Sequence, residues 1–322
     1  MDLCSRGDIL SQAMKHFNGW ETERNFKTSL EFLDQQIIEE DMKKEKKTEI
    51  DLEYLSICID LKGIILYYGS TEVEKNTQKS FECFEKASEM NNSDAIYNLA
   101  CIYNSGEENI VGIDLIKSVE LYKRAIDLKH SFSMYNLAFI YEYGYDYIEK
   151  DIKTSIDLYQ KAIAFNHVDA LNNFARMYQT GVEGILEKNV LKTIELYERA
   201  VELEDFNCTF NLAILYQKGE ENKNVKIEID LDKSAHYYFK SDQLGDENGK
   251  EQLIWIIQNN KINWKEEYHV FWKGESDLNR QILMILFVCK FRKNSNDKLI
   301  SSILVKGISV KIIKFLCHLK QI

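Results

Sequence analysis

A fixed internal period constrains this 322-residue chain more than anything else in it. Asn98-Leu99-Ala100 returns as Asn136-Leu137-Ala138, Asn173-Phe174-Ala175 and Asn211-Leu212-Ala213, so the same triplet starts at positions 98, 136, 173 and 211 with almost equal steps. Three positions after each alanine stands Tyr103, Tyr141, Tyr178 or Tyr216, and three further on stands Gly106, Gly144, Gly181 or Gly219. Gly63, Leu66 and Gly69 hold the same offsets one period upstream, which makes five copies. A period of this length marks a stacked array, in which each unit is too small to bury its own apolar face and completes it against its neighbours.

A second motif interleaves with the first. Phe84-Glu85-Lys86-Ala87 matches Tyr122-Lys123-Arg124-Ala125, Tyr159-Gln160-Lys161-Ala162, Tyr197-Glu198-Arg199-Ala200 and Tyr238-Phe239-Lys240-Ser241. At one fixed offset before each final small residue lies Asn76, Asp114, Asp151, Asn189 or Asp230. The side-chain oxygen of Asp or Asn accepts a free amide hydrogen of a helix's first turn, so these read as N-caps. The glycines read as stops in the left-handed conformation past a helix end. Ala95, Leu99, Ala100 and Tyr103 then share one helix face, and Ser118, Val119, Tyr122, Ala125 and Ile126 share another.

Each unit is therefore an antiparallel helix pair, with alanines permitting close approach and tyrosines filling the space between layers. The step from each second-helix small residue to the next first-helix alanine is constant: 87 to 100, 125 to 138, 162 to 175 and 200 to 213. Carrying that step past Ser241 reaches Ile254, with Asn260 at the stop position, so Gly249 to Asn260 reads as a decayed sixth first helix. The segments between glycine stop and cap are 70–75, 107–113, 145–150, 182–188 and 220–229, unequal in length, which confines length variation to one loop class at one edge of the stack. The chain has no proline, which excludes collagen and polyproline segments and suits helices punctuated by glycine.

The combined pattern, L-A/G-x-x-Y-x-x-G, a loop, D/N-x-x-K-[AST] and Y-x-K-A, resembles the Sel-1-like repeat, a relative of the tetratricopeptide repeat. Thr154 departs from it where the other copies have Lys79, Lys117, Lys192 and Lys233. The resemblance implies an all-α, right-handed α-α superhelical solenoid with helical caps. The corresponding domains are an N-terminal cap over 1–51, a solenoid over 52–260 of about five pairs plus the degenerate sixth helix, and a basic C-terminal cap over 261–322. It further implies that the first helices line a concave face, where the asparagine before L-G/A bonds the backbone of a bound peptide. Asn98, Asn136, Asn173 and Asn211 match that residue. An amide offers both a donor and an acceptor, and the competing reading is that these amides bridge neighbouring helices.

Outside the repeats, Leu30, Leu33, Ile37 and Ile38 form a helical stripe, and the charged run Glu39 to Lys47 reads as a solvated helix face or loop. Residues 261–322 carry 12 Lys/Arg against 5 Asp/Glu, a surplus of seven, so the net charge of −11 leaves −18 on residues 1–260. That segment reads as a cap complementing an acidic solenoid, with docking to an acidic partner or nucleic acid as the sharper alternative. Trp264, Trp272, Phe287, Phe291 and Phe315 lie within aliphatic runs, which favours core over stacking platforms and argues against nucleic acid. The segment is similar in style to tails of repeat proteins from giant amoeba-infecting DNA viruses.

The longest fully apolar run, Ile282 to Cys289, is far short of a membrane span. Seven scattered cysteines without a C-x-x-C pair, and no secretory signal at the start, point to a reducing intracellular compartment such as the cytoplasm.

No catalytic constellation emerges. His16, His130, His167, His236, His269 and His318 never pair at metal-ligand spacing, and His130 and His167 occupy equivalent turns of the repeat. Gly245-Asp246-Glu247-Asn248-Gly249-Lys250 resembles a phosphate loop but has one residue too few and two acids that would repel phosphate. The reading is a non-catalytic interaction scaffold, without cofactor or metal, that binds a protein or peptide. Self-association through an apolar patch near Trp255, Trp264 and Trp272 is the alternative.

Overall fold

The computed structural model describes residues 26–42, 47–145, 147–221 and 225–259. Twelve helices occupy them: α1 (Phe26–Met42), α2 (Glu49–Tyr68), α3 (Thr77–Glu89), α4 (Ser93–Ser105), α5 (Leu115–Asp127), α6 (Ser131–Tyr143), α7 (Ile152–Ala164), α8 (Val168–Thr180), α9 (Val190–Glu202), α10 (Phe206–Lys218), α11 (Leu231–Gln243) and α12 (Glu247–Asn259). The only strands among the described residues are β1 (Glu220–Glu221) and β2 (Lys226–Ile227), paired antiparallel. The chain divides into two compact units at Ile229–Asp230.

In the first unit each helix packs on the next, α1 on α2 and so on to α9 on α10. The second-helix N-caps Asn76, Asp114, Asp151 and Asn189 each accept the backbone N–H three residues on. The first helices are capped by Thr48, Asn92, His130, His167 and Asp205. Between pairs the chain turns through one left-handed residue, Asn91, Lys129, Asn166 or Glu204.

The glycine stops have positive φ, but not the left-handed helical geometry read from the sequence. Gly69, Gly106, Gly144, Gly181 and Gly219 combine φ of 64° to 74° with ψ between 159° and −175°. The chain leaves the helix extended, through a region that is essentially reserved for glycine. This exit turns the loop back so that the second-helix cap closes on the first: the N–H groups of Asp114, Asp151 and Asn189 donate to the carbonyls of Tyr103, Tyr141 and Tyr178 at 2.8–2.9 Å. The variable residues bulge beyond that stitch as short hairpins, bridged at Glu107–Val111, Tyr145–Ile148 and Val182–Leu186, and by β1–β2 in the longest loop.

Ala95, Ala100, Ala125, Ala138, Ala162, Ala170, Ala175 and Ala200 are wholly buried, and Tyr122, Tyr159 and Tyr197 fill the space beside them. In three pairs the small polar residue four positions after the second-helix cap ties the pair together: the hydroxyls of Ser80, Ser118 and Thr193 donate to the carbonyls of Gly63, Ala100 and Ala175, whereas Ser155 at the same position makes no such bond. Between pairs, Arg124 donates to the carbonyl of Ser88 and to Asn91 Oδ1, and Arg199 to the carbonyl of Ile163 and to Asn166 Oδ1. Both cap the last turn of the preceding second helix, where carbonyls lack helical partners.

At the N-terminal end Leu33 joins Tyr54, Cys58, Ile65, Leu66 and Val73 in one apolar cluster, with Leu30 and Ile37 against it. Ile38 is instead 52% exposed, because a stripe at spacings of three and four continues through Ile37 and leaves its neighbour rotated off the buried face. Within the charged run Glu40 is only 3% exposed, so that run is not wholly solvated. In the second unit Asp230 caps α11, α11 packs on α12, and Tyr238, Leu253 and Ile256 are buried. The decayed sixth first helix is thus a helix, α12, with Gly249 closely approached by the Tyr238 carbonyl. Residues 1–25, Asn260 and the basic segment 261–322, with Trp264 and Trp272, lie outside the described residues.

Candidate partner-binding site

Each of the four motif asparagines sits at the sixth position of a first helix, in α4, α6, α8 and α10, and each is half-buried. Their amide nitrogens all point to the preceding copy. Asn98 Nδ2 donates to Asp60 Oδ1 at 3.0 Å, and Asn211 Nδ2 to Asn172 Oδ1 at 3.0 Å. Asn136 Nδ2 donates to the hydroxyls of Tyr122 (3.2 Å) and Tyr97 (3.5 Å), and Asn173 Nδ2 to those of Tyr159 (3.2 Å) and Tyr135 (3.5 Å). The acceptors Asp60, Tyr97, Tyr135 and Asn172 form one series: each stands immediately before the motif-asparagine position of its own copy. The sequence contains that series in plain view, as a polar residue at one fixed offset, although its members differ in chemistry.

The amides therefore form a ladder between repeats with the donor side committed. None of the four Oδ1 atoms accepts a hydrogen bond from a described residue, and none is a buried, unpartnered atom. They remain as acceptors on half-buried side chains, one per repeat. Beside them α6 presents Phe132, Tyr135, Phe139 and Tyr143 at spacings of three and four, with Phe132 51% exposed. Tyr143 accepts from Arg176, whose other partner is the buried Glu142; Glu142 in turn accepts from Tyr159 at 2.7 Å. That network fixes the α6–α8 boundary beneath the row.

Burial raises Asp60 and the tyrosines of the ladder. Asp60 is pushed up to about 7, chiefly by burial, with the Asn98 hydrogen bond opposing and the nearby Asp94 adding to the rise. Burial and the neighbouring Cys101 thiol push Tyr122 upward, and burial with the hydrogen bond to Glu142 does the same for Tyr159. These hydroxyls stay protonated across the physiological range and so remain able to serve the ladder.

The other residues singled out by sequence have local roles. His130 and His167 are helix caps: Nδ1 of His130 accepts the Ser133 amide at 3.2 Å, and Nδ1 of His167 the Ala170 amide at 3.4 Å. In the phosphate-loop lookalike, Asp246 takes the amides of Asn248 and Gly249, so a carboxylate occupies the place an anion would need. Cys58, Cys83, Cys101 and Cys208 are free thiols, and burial pushes Cys58 up to about 11. Among the described residues no three His, Cys, Asp or Glu side chains converge on a common point, and no helix is long and apolar enough to cross a membrane. An open groove of ≈ 680 Å³ between α5 and the 147–151 loop is lined by Ile116, Val119, Tyr141 and Tyr147.

Comparison with known proteins follows the same architecture. The Sel1 repeat profile matches five stretches, residues 63–92, 93–130, 131–164, 168–205 and 207–246, together more than half of the chain. Among solved structures, c5321, a protective antigen present in uropathogenic Escherichia coli strains and displaying an SLR fold, is similar with a TM-score of 0.60 at 16% identity. The match covers 90% of this chain and 57% of that one, so the chain spans little more than half of the antigen's length. A Sel1 repeat protein from Oxalobacter formigenes is similar with a TM-score of 0.59 at 19% identity, covering 76% of this chain and 89% of that one. At such identities the likeness shows the fold. No curated protein matches by sequence. With five profile matches in register with the helix pairs, and an all-α superhelical solenoid as the fold, the chain belongs to the Sel1 repeat family.

Proposed function

We propose that this protein is a non-catalytic interaction scaffold whose first-helix face holds an extended segment of a protein partner against Asn98, Asn136, Asn173 and Asn211. Sel1 repeat proteins in general mediate protein interactions. The observation that carries the reading is the set of four half-buried asparagines whose Nδ2 groups are already bound within the array while no described residue donates to their Oδ1 atoms. An amide held by its donor side cannot rotate away, so each oxygen is pre-oriented and costs little further ordering on binding. An extended chain supplies backbone N–H donors regardless of sequence, so the row selects for extension and the flanking α6 aromatics for side chains. The four free thiols fit a reducing intracellular setting.

A second reading is self-association through the face carrying Trp255, which is 50% exposed. Affinity capture with mass spectrometry separates the two. Replacing all four asparagines by Ala, with helicity checked by circular dichroism, abolishes capture of heterologous partners if the row binds them. Persistence of the same partners on a folded variant refutes that role, and recovery of only the protein itself favours self-association.

A further inference from the structure

His130 and His167 do the same job in successive repeats with different surroundings, and the difference carries a consequence. In both, Nδ1 accepts a first-turn amide, which fixes the proton on Nε2. His130 then places Nε2 at 3.1 Å from Asp94 Oδ1. One repeat later the position of Asp94 is filled by Phe132. His167 Nε2 is consequently buried without a hydrogen-bond partner. The ring is only 6% exposed, stacked on Tyr135 (centroids 4.8 Å, 16°) and edge-to-face with Phe132 (4.6 Å, 74°).

Protonation has unequal effects at the two sites. A second proton on either ring occupies Nδ1 and turns the cap's acceptor into a donor facing another donor, at the positive end of a helix. For His130 the Asp94 carboxylate compensates the new charge. For His167 the charge sits in an aromatic slot with no acceptor for Nε2–H. The titratable groups facing it are Asp169 in the first turn of α8, which favours the charged form, His130, which opposes it, and Tyr135, which is neutral. Arg199 holds the adjoining Asn166 and adds no carboxylate.

We propose that His167 is an acid-sensitive latch: its protonation releases the first turn of α8 from the preceding repeat while the His130 junction holds. The Tyr135 ring stacked on the latch is the one whose hydroxyl accepts from Asn173, so release also slackens one rung of the asparagine ladder. Burial holds His167 below its ordinary value of 6.5. The stabilisation is therefore complete above that value and is lost as the pH falls through the folded value.

Amide hydrogen exchange of the full chain, corrected for the intrinsic pH dependence, tests this. Between pH 7.5 and 5.0 the protection of the Ala170 amide falls by about tenfold or more, while that of the Ala95 amide, capped by the non-titrating Asn92, changes little. His167→Asn, which installs the cap found naturally at Asn92, abolishes the fall. Unchanged protection at Ala170, or an equal fall in the variant, overturns the proposal. Independently of any variant, the imidazole proton resonance of His167 titrates below 6.5 in the intact protein, and a midpoint at or above 6.5 also overturns it.

Discussion

Asp60 carries the first rung of the asparagine ladder as a buried carboxylate, where the other rungs use neutral hydroxyls or an amide. At 5% exposure it holds its proton up to about pH 7. A carboxyl raised in the folded state contributes most at acid pH, and that contribution is lost as the pH rises through 7. Asp60→Asn keeps an acceptor for Asn98 and removes the titration, so at pH 8 it is more stable than the parent by roughly 1–3 kcal/mol, an advantage that shrinks at pH 5. Urea unfolding at the two pH values measures it. Gly63 gives a second residue-level prediction. Alanine is the better helix former, yet a Cβ here would lie 2.7 Å from Phe84 Cε1. Gly63→Ala therefore destabilises by roughly 1–3 kcal/mol, read from the urea midpoint. Asp and Asn caps are legible in the sequence because they cap in any ordinary state. His130 and His167 read only as turn residues, since imidazole caps as one tautomer and no pattern displays a proton.

At the scale of elements, loop length and pair geometry are uncoupled. The stitch from the Asp114 amide to the Tyr103 carbonyl closes the pair beneath residues 107–113, whose ends are joined again by the Glu107–Val111 bridge. Inserting two glycines between Asn109 and Ile110 lowers stability by less than about 1 kcal/mol in thermal unfolding, as slow growth of loop-closure entropy requires. Removing the arginine that caps the neighbouring helix costs more: Arg199→Ala leaves the Ile163 carbonyl with only the Asn166 amide and takes the donor from Asn166 Oδ1, and destabilises by about 1–2 kcal/mol. The helices, their order and the loop class are readable from the constant step between motifs and the cap offsets. The glycine geometry is not, because a stop signal is the same whether the chain exits helical or extended. The choice is made by the downstream cap returning to the tyrosine carbonyl.

Over the whole molecule, stability is approximately the sum of each helix pair's own contribution and its contacts with nearest neighbours. The asparagine ladder is one such neighbour contact, repeated four times with differing acceptors. Its register is legible in the sequence, as is the matching of these residues to a peptide-holding position. The commitment of their donor side is not, since the period alone leaves bridging and partner binding equally open. With bridging given to Nδ2 and the proposed partner binding assigned to Oδ1, the two roles fall on different atoms of one amide and become separable. Asn136→Ala removes both the bridge and the outward oxygen. Tyr122→Phe removes the hydroxyl that holds Asn136 at 3.2 Å and leaves that oxygen in place. The decisive measurement is the affinity of a peptide selected on this face from a random display library for the parent, Asn136→Ala and Tyr122→Phe. The account predicts at least a fivefold loss for Asn136→Ala, about 1 kcal/mol, and a much smaller change for Tyr122→Phe. Equal losses in the two variants, or no loss in either, would contradict it.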